Sequence, residues 1–447
     1  MSKENIYNIH HYKFLDHYYL VFVELPVIIA IDEPFYHFLK TNKITNAKDI
    51  LKIDNVDKEY KLQISKFITK INKAQFRKRN EEYELYINNF YNNFNVQGIW
   101  LGLTHSCNMS CDYCFEQDSA MYNKAKMNLI TAKKAIDFLA ENSKEPTLKI
   151  IFFGGEPLLE YELIKKIVSY CRKFETKLNK KFSFTMTTNA TLLDSQKMEY
   201  FSKEKIGIMI SFDGNAEMNC YRRMSDKTES FSRVYKNVKE LINKYDISIR
   251  ATLSDKNDDY NKCHAFFKEE LNCKNLLVSE CSGNRFWNSK SKYKLKKRYI
   301  NSITKASNLN EIPSNIRNEI MSISSGTKWN YNCGTGITWF YISPEGNIFP
   351  CNRVINTKQE IMFGNIKSGI DIGKVKEFIN LTSVNNSARC KKCWAKHLCG
   401  GGCYGEKIEA NQSYTKPYKL FCDFKKFKIK ASSYFLEKFY NNGGDTN

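Results

Sequence analysis

Between about residue 97 and residue 280, short apolar runs alternate with amphipathic segments, and this alternation narrows the fold more than anything else in the chain. The runs fall at 98–104, 148–153, 182–187, 206–212, 247–253 and 276–279. Between them lie helix patterns such as 131–141, where Ala132, Ala135, Ile136 and Leu139 form one apolar stripe. Strand and helix in strict alternation predict βαβ units with right-handed crossovers, hence a parallel sheet covered by helices. Six such strands suit a partial (β/α)6 barrel, an α/β fold whose active site gathers at the C-terminal ends of the strands.

The flanks read differently. Residues 1–95 carry β-branched and aromatic runs at 12–14, 18–23 and 27–31, broken by Asp16-His17 and Pro26. Helical periodicity follows at 34–39 and in segments between Ala47 and Tyr91, which makes a small α+β unit. Residues 96–326 form the barrel, and residues 327–447 are loop-rich and hold seven of the fifteen cysteines.

No apolar run reaches the roughly 18 residues of a membrane span. The opening Met1-Ser-Lys-Glu-Asn-Ile6 lacks the basic-then-apolar build of a signal peptide. A cytoplasmic protein without a membrane partner is expected, and in a reducing compartment clustered cysteines read as metal ligands rather than disulfides. The net charge of +21 is spread along the chain. Patches such as Lys294-Leu-Lys-Lys-Arg298 and Lys425-Lys-Phe-Lys-Ile-Lys430 sit on amphipathic helix patterns as solvated faces. No nucleic-acid-binding motif accompanies the charge, so nucleic acid is not an expected partner, whereas an acidic peptide suits it.

Directly after the first barrel strand stand Cys107, Cys111 and Cys114, spaced Cys-x3-Cys-x2-Cys. Structural zinc and ordinary [4Fe–4S] clusters each take four ligands. Three close cysteines therefore point to a cluster with one iron open, with a half zinc site or a chance triplet as the alternatives. The next strand ends in Phe152-Phe-Gly-Gly-Glu-Pro157, where Gly154 and Gly155 allow close backbone approach and Glu156 offers an acceptor for an ammonium.

This series resembles the radical S-adenosylmethionine (radical SAM) superfamily, whose signature is Cys-x3-Cys-x-aromatic-Cys, with Tyr113 in the aromatic place. The resemblance implies that the three thiolates hold a [4Fe–4S] cluster and that SAM chelates its open iron. It places Gly154, Gly155 and Glu156 near the SAM amino group. Thr188-Asn189 and Ser211-Phe-Asp-Gly214 resemble family elements near the ribose and carboxylate, so Asn189 and Ser211 are expected SAM contacts. Ala190 stands where the family often has glycine. Arg250 could pair with the SAM carboxylate, since guanidinium suits bidentate recognition.

The late cysteines form a second constellation: Cys333, Cys351 after Gly346, then Cys390-x2-Cys393-x5-Cys399-x3-Cys403, and Cys422. Taken alone, Cys390 to Cys403 fit a four-cysteine zinc site. The whole pattern resembles the SPASM extension of peptide-modifying radical SAM enzymes. That resemblance implies two auxiliary [4Fe–4S] clusters, the first on Cys333, Cys351 and Cys403 and the second on Cys390, Cys393, Cys399 and Cys422. The first then has three assigned ligands, and 334–350 contains no further cysteine. An open iron for a substrate thiolate is expected there, with Cys281 as the stray candidate ligand. Cys171, Cys220, Cys263 and Cys273 are expected to act as small buried hydrophobes.

The N-terminal order of three strands then helix resembles the winged-helix-like leader-peptide recognition domain of radical SAM peptide maturases, which adds an extended leader to a sheet edge, with a capping domain that merely covers the barrel as the alternative. The expected function is modification of a ribosomally made precursor peptide, with Cys thioether crosslinks formed after hydrogen abstraction by a 5′-deoxyadenosyl radical. A flavodoxin or ferredoxin would supply the low-potential electron. No protein side chain is singled out as catalytic. The competing readings are sulfatase-maturase-like formylglycine formation and, from another class, a non-catalytic metal or nucleic-acid-binding module.

Overall fold

The computed structural model describes residues 8–42, 47–54, 56–74, 94–116, 124–282, 286–326, 330–355 and 361–444. The helical periodicity expected up to Tyr91 lies, from Gln75 on, outside them.

The N-terminal strands β1 (Ile9–Phe14), β2 (His17–Phe22) and β3 (Val27–Ile31) form an antiparallel meander in the order β1-β2-β3. Helices α1 (Glu33–Thr41) and α2 (Lys58–Ala74) follow, and the Asp32 side chain caps α1 by accepting from Phe35 N. Leu20, Phe22 and Ile31 face Phe35, Leu39 and Ile64. Tyr12, Phe14, Tyr19 and Val21 belong instead to the main core.

The six expected barrel strands are all present: β4 (Gly98–Gly102), β5 (Thr147–Phe153), β6 (Lys181–Thr188), β7 (Ile206–Ser211), β8 (Ile247–Leu253) and β9 (Asn275–Glu280). Each pairs in parallel with the next, in chain order. The connecting helices include α3 (Leu129–Glu141), α4 (Tyr161–Leu178), α5 (Ser195–Lys203), α6 (Phe231–Leu241) and α7 (Tyr260–Ala265). Helix α3 buries the expected stripe of Ala132, Ala135, Ile136 and Leu139, and the Asn128 side chain caps it at Thr131 N.

Side chains alternate across a strand, so burial reveals which face is covered. One register row, Ile99–Ile150–Phe184–Ile206, is buried under the helices. The neighbouring row, Trp100–Ile151–Thr185–Gly207, is half-buried or exposed. The concave face is thus open and the sheet does not close, as expected of a partial barrel.

The last third is less loop-rich than its sequence suggests. Strands β10 (Trp339–Ile342), β11 (Asn347–Phe349), β12 (Gly364–Asn365) and β13 (Gly369–Ile370) extend the same sheet beyond β4. These strands are too short for period-2 alternation to show. Strand β10 runs parallel to β4 with Trp339 opposite Gly98 and Tyr341 opposite Trp100. Its rings need the β4 glycines: a Cβ on Gly98 would lie 2.5 Å from the Trp339 ring, and one on Gly102 2.1 Å from the Tyr341 hydroxyl. Helices α8 (Ser289–Lys305), α9 (Ser314–Ser324), α10 (Tyr404–Asn411) and α11 (Lys419–Asn441) are among those that follow the barrel strands. Helix α11 carries the N-terminal sheet: Tyr12 donates to Ser433 Oγ at 2.9 Å and Tyr19 to Glu437 Oε2 at 2.6 Å. No helix among the described residues is long and apolar enough to cross a membrane.

Candidate active site at the C-terminal strand ends

The loop after β4 is held by the end of β5. Gly155 N donates to Thr104 O at 2.8 Å and Glu156 N to Ser106 O at 2.9 Å. A Cβ on Gly154 (φ +134°) would sit 2.3 Å from Thr104 O, and one on Gly155 2.2 Å from Ser106 O. Both positions need glycine because this chain's own backbone passes there. The loop carries Cys107, Cys111 and Cys114 as one group. Burial pushes the thiols of Cys107 and Cys114 up to about 12, and each is raised further by Cys111. Such thiols stay protonated unless a metal takes them as thiolates. Among the described residues no three His, Cys, Asp or Glu side chains converge as a single ion requires. A [4Fe–4S] cube spreads its ligands over separate irons and does not ask for that convergence, so the donor set fits a cluster.

Glu156 does more than line the site. Its Oε1 accepts from Leu158 N at 3.0 Å and Thr188 Oγ1 at 2.7 Å, and its Oε2 from Asn189 N at 2.8 Å. The side chain is 1 % exposed, and burial pushes its pKa up to about 7. Three protein donors thus occupy the carboxylate expected to take a SAM ammonium, and Glu156 pins the β6 end beside the triplet. Asn189 lies there: Nδ2 donates to Asn108 Oδ1 at 2.9 Å and stands 3.7 Å from Cys107 Sγ. Ala190 is buried in the left-handed region at φ +62°, which explains why glycine would suit this place.

Tyr113 is built into a buried charge network that sequence reasoning missed. Its hydroxyl donates to Asp213 Oδ2, which also meets Arg222 Nε at 3.1 Å. Thr252 N donates to Asp213 Oδ1 at 2.9 Å, and the Arg222 guanidinium lies 5.5 Å from the Tyr113 ring centre. The signal available was Asp213 itself, since a carboxylate in an apolar strand end demands a cation. Ser211 and Arg250 are register partners on the open face. Although the residue is exposed to solvent on that face, partial desolvation of the guanidinium together with Arg222 and Arg353 holds Arg250 below its usual range. It has no side-chain hydrogen bond or ion pair among the described residues, so it is available to an anion.

The late cysteines lie near one another in two groups. Cys351 and Cys403 are pushed up by burial and stand within electrostatic reach of each other and of Cys333. Cys333 Sγ lies 2.9 Å from Thr335 Oγ1 and 3.5 Å from the Tyr404 hydroxyl. Cys422 is within reach of Cys390 and Cys393, and Cys399 of Cys422 and Cys390. Lys407, 2 % exposed, was not singled out by sequence. Burial depresses its ammonium while Cys390, Cys399, Cys403 and Cys422 favour its charge. A buried cation among thiols of both sets fits anionic, metal-bound thiolates.

Arg353 joins the regions. It reaches Ser282 Oγ at 2.7 Å, Glu409 at 2.8 Å and Glu406 at 3.3 Å, and lies 5.1 Å from the Phe115 ring centre beside Cys114. Cys281 is buried at the end of β9, and its Sγ donates to Ser282 O at 3.2 Å. Cys171 and Cys263 are fully buried, whereas Cys220 and Cys273 are half-buried. A separate cleft of about 420 Å³ flanks the other end of β8 and β9, lined by Tyr260, His264, Lys268 and Arg317, and contains none of the clustered cysteines.

Residues 101–260 match the radical SAM superfamily. A cysteine-type anaerobic sulfatase-maturating enzyme of Clostridium novyi is 25% identical over 354 residues, 73% of this chain and 93% of that protein. The radical SAM cyclopropyl synthase TigE of Paramaledivibacter caminithermalis is 25% identical over 364 residues, 75% of this chain and 73% of that protein. Among solved structures, native anSMEcpe with bound AdoMet covers 77% of this chain and 99% of its own at TM-score 0.63 and 23% identity. Streptococcus suis SuiB bound to S-adenosylmethionine covers 91% of this chain and 96% of its own at TM-score 0.51 and 16% identity. These likenesses show the fold, and the chain carries a radical SAM domain.

Proposed function

From a radical SAM domain over residues 101–260, we propose that this chain modifies a ribosomally made precursor peptide and forms Cys thioether crosslinks. In this reading Cys107, Cys111 and Cys114 hold a [4Fe–4S] cluster, and Arg250 meets the SAM carboxylate. SAM, when bound there, would supply hydrogen-atom abstraction from a peptide carbon, with the low-potential electron coming from a flavodoxin or ferredoxin. Tyr113, Asp213 and Arg222 hold the cluster loop against the β7 and β8 ends, and Glu156 and Asn189 hold it against β6. The open concave face receives the peptide. Cys333, Cys351 and Cys403 would hold a first auxiliary cluster with room for a substrate thiolate as a further ligand, and Cys390, Cys393, Cys399 and Cys422 would hold a second.

One observation carries the reading. The N-terminal meander is docked on the catalytic body while β3 pairs with β2 alone among the described residues, which leaves an edge for an extended leader. One structural neighbour, Streptococcus suis SuiB, was solved bound to its precursor peptide SuiA. The second reading is formylglycine formation, supported by the sulfatase-maturating relative matched over 93% of its length. Co-expression with a precursor encoded beside the gene, followed by mass spectrometry, tests both. The crosslinking reading expects loss of two hydrogens per crosslink, abolished by Cys107→Ala. An unmodified precursor, with formylglycine formed in a Cys-containing sulfatase peptide, would replace it with the second.

A further inference from the structure

We infer that Glu24 is a positioning residue for the thiol set of Cys390, Cys393, Cys399 and Cys422, acting through the loop that joins Cys393 to Cys399. Glu24 lies in the turn between β2 and β3, outside the barrel. Its carboxylate meets Lys396 Nζ at 2.6 Å and His397 Nε2 at 3.2 Å, and accepts from Asn8 Nδ2 at 3.0 Å. Lys396 and His397 are buried, 7 % and 1 % exposed. A buried cation without its counter-charge is costly, so the loop keeps this shape only while Glu24 is in place. The other end of the loop is held from the same sheet. Trp394, next to Cys393, stacks on the His10 ring at 4.9 Å and 8°, and lies 5.4 Å from the Tyr12 ring. Both clamps on a cysteine loop therefore come from the N-terminal meander.

The arrangement is more than structural support. Cys393 and Cys399 are separated by five residues, and each of these is clamped by the meander or adjacent to a residue that is. Shifting the loop moves two thiols at once. The hold of Glu24 on the loop is independent of which peptide, if any, the β3 edge receives.

The test uses the full chain with its clusters reconstituted. Glu24→Gln keeps the size and an acceptor but removes the charge, and Glu24→Ala removes both. Glu33→Gln is the control, a carboxylate of the same unit paired with Tyr18 and His37. Redox titration followed by electron paramagnetic resonance should show one auxiliary signal shifted to higher potential in Glu24→Gln, because the loop between Cys393 and Cys399 loses the counter-charge of Lys396 and becomes more positive. The signal that responds to added SAM should not move, and Glu33→Gln should move neither. In the cluster-free chain, hydrogen exchange of residues 393–399 should accelerate in both Glu24 variants and not in Glu33→Gln. Unchanged potentials with unchanged exchange at 393–399, or equal shifts in Glu33→Gln, would overturn the assignment. Should Glu24→Ala fail to fold, Glu24→Gln decides it on both readouts, and Trp394→Phe, which frees the other end of the loop, should accelerate exchange at 393–399 without the charge-driven potential shift.

Discussion

The Glu156 carboxylate accepts the Asn189 backbone amide at 2.8 Å, so the C-terminal ends of β5 and β6 are tied directly beside Cys107. A motif residue that sequence reads as a ligand contact is at the same time a joint of the protein. Glu156→Gln keeps the shape but turns an NH2 toward one of three donors. Leaving a buried donor unpaired costs about 1–3 kcal/mol. Denaturant unfolding of the cluster-free chain should show a loss of that size, with the slope unchanged.

Burial raises Glu156 to about 7 and Glu116 to about 8, both from 4.5. Between pH 4.5 and those values the folded chain binds protons that the unfolded chain has released. Stability therefore falls as pH rises through that window and levels off above it. A pH series of unfolding on the cluster-free chain checks the sign, and Glu156→Gln should flatten its lower part.

Gly155→Ala would place a methyl 2.2 Å from Ser106 O. Backbone on both sides cannot yield cheaply, so the loop carrying the triplet must move. Iron quantitation after reconstitution should fall from about twelve to about eight atoms per chain, as expected when one of three [4Fe–4S] clusters is lost.

Arg222→Met strips the counter-charge from Asp213, which is 1 % exposed. Removing one partner of a buried pair costs about 3–5 kcal/mol. Thermal or chemical unfolding should show that loss, and Asp213→Asn in the same chain should recover part of it.

Lys407→Met removes a buried cation that faces thiols of both late sets. Both auxiliary potentials should fall, while the SAM-binding signal keeps its place. Redox titration of the three signals measures this.

Much of this architecture is legible in the order of the residues. The alternation over 98–279 marks each parallel strand to within a residue or two, because a strand buried against helices must be apolar. The cysteine groups are legible for a similar reason: side chains close in sequence are close in space. Four features are not. Strands β10 to β13 are too short to show a period, and their place beside β4 depends on Gly98 and Gly102 making room for Trp339 and Tyr341. Arg222, Arg353 and Lys407 have no motif, since a counter-charge can come from anywhere in the chain.

The parallel sheet, the triplet directly after β4 and the grouping of the late cysteines all follow from local spacing and from which faces must be apolar, and a linear chain already carries both. Three-dimensional packing adds what spacing leaves open. Glu156 spends its carboxylate on the protein, Asp213 is answered by Arg222, and the N-terminal meander grips the Cys393–Cys399 loop through Glu24 and His10. Those pairings join residues far apart along the chain. Their energy comes from burial, which removes water as the alternative partner, and burial exists only once the chain has folded.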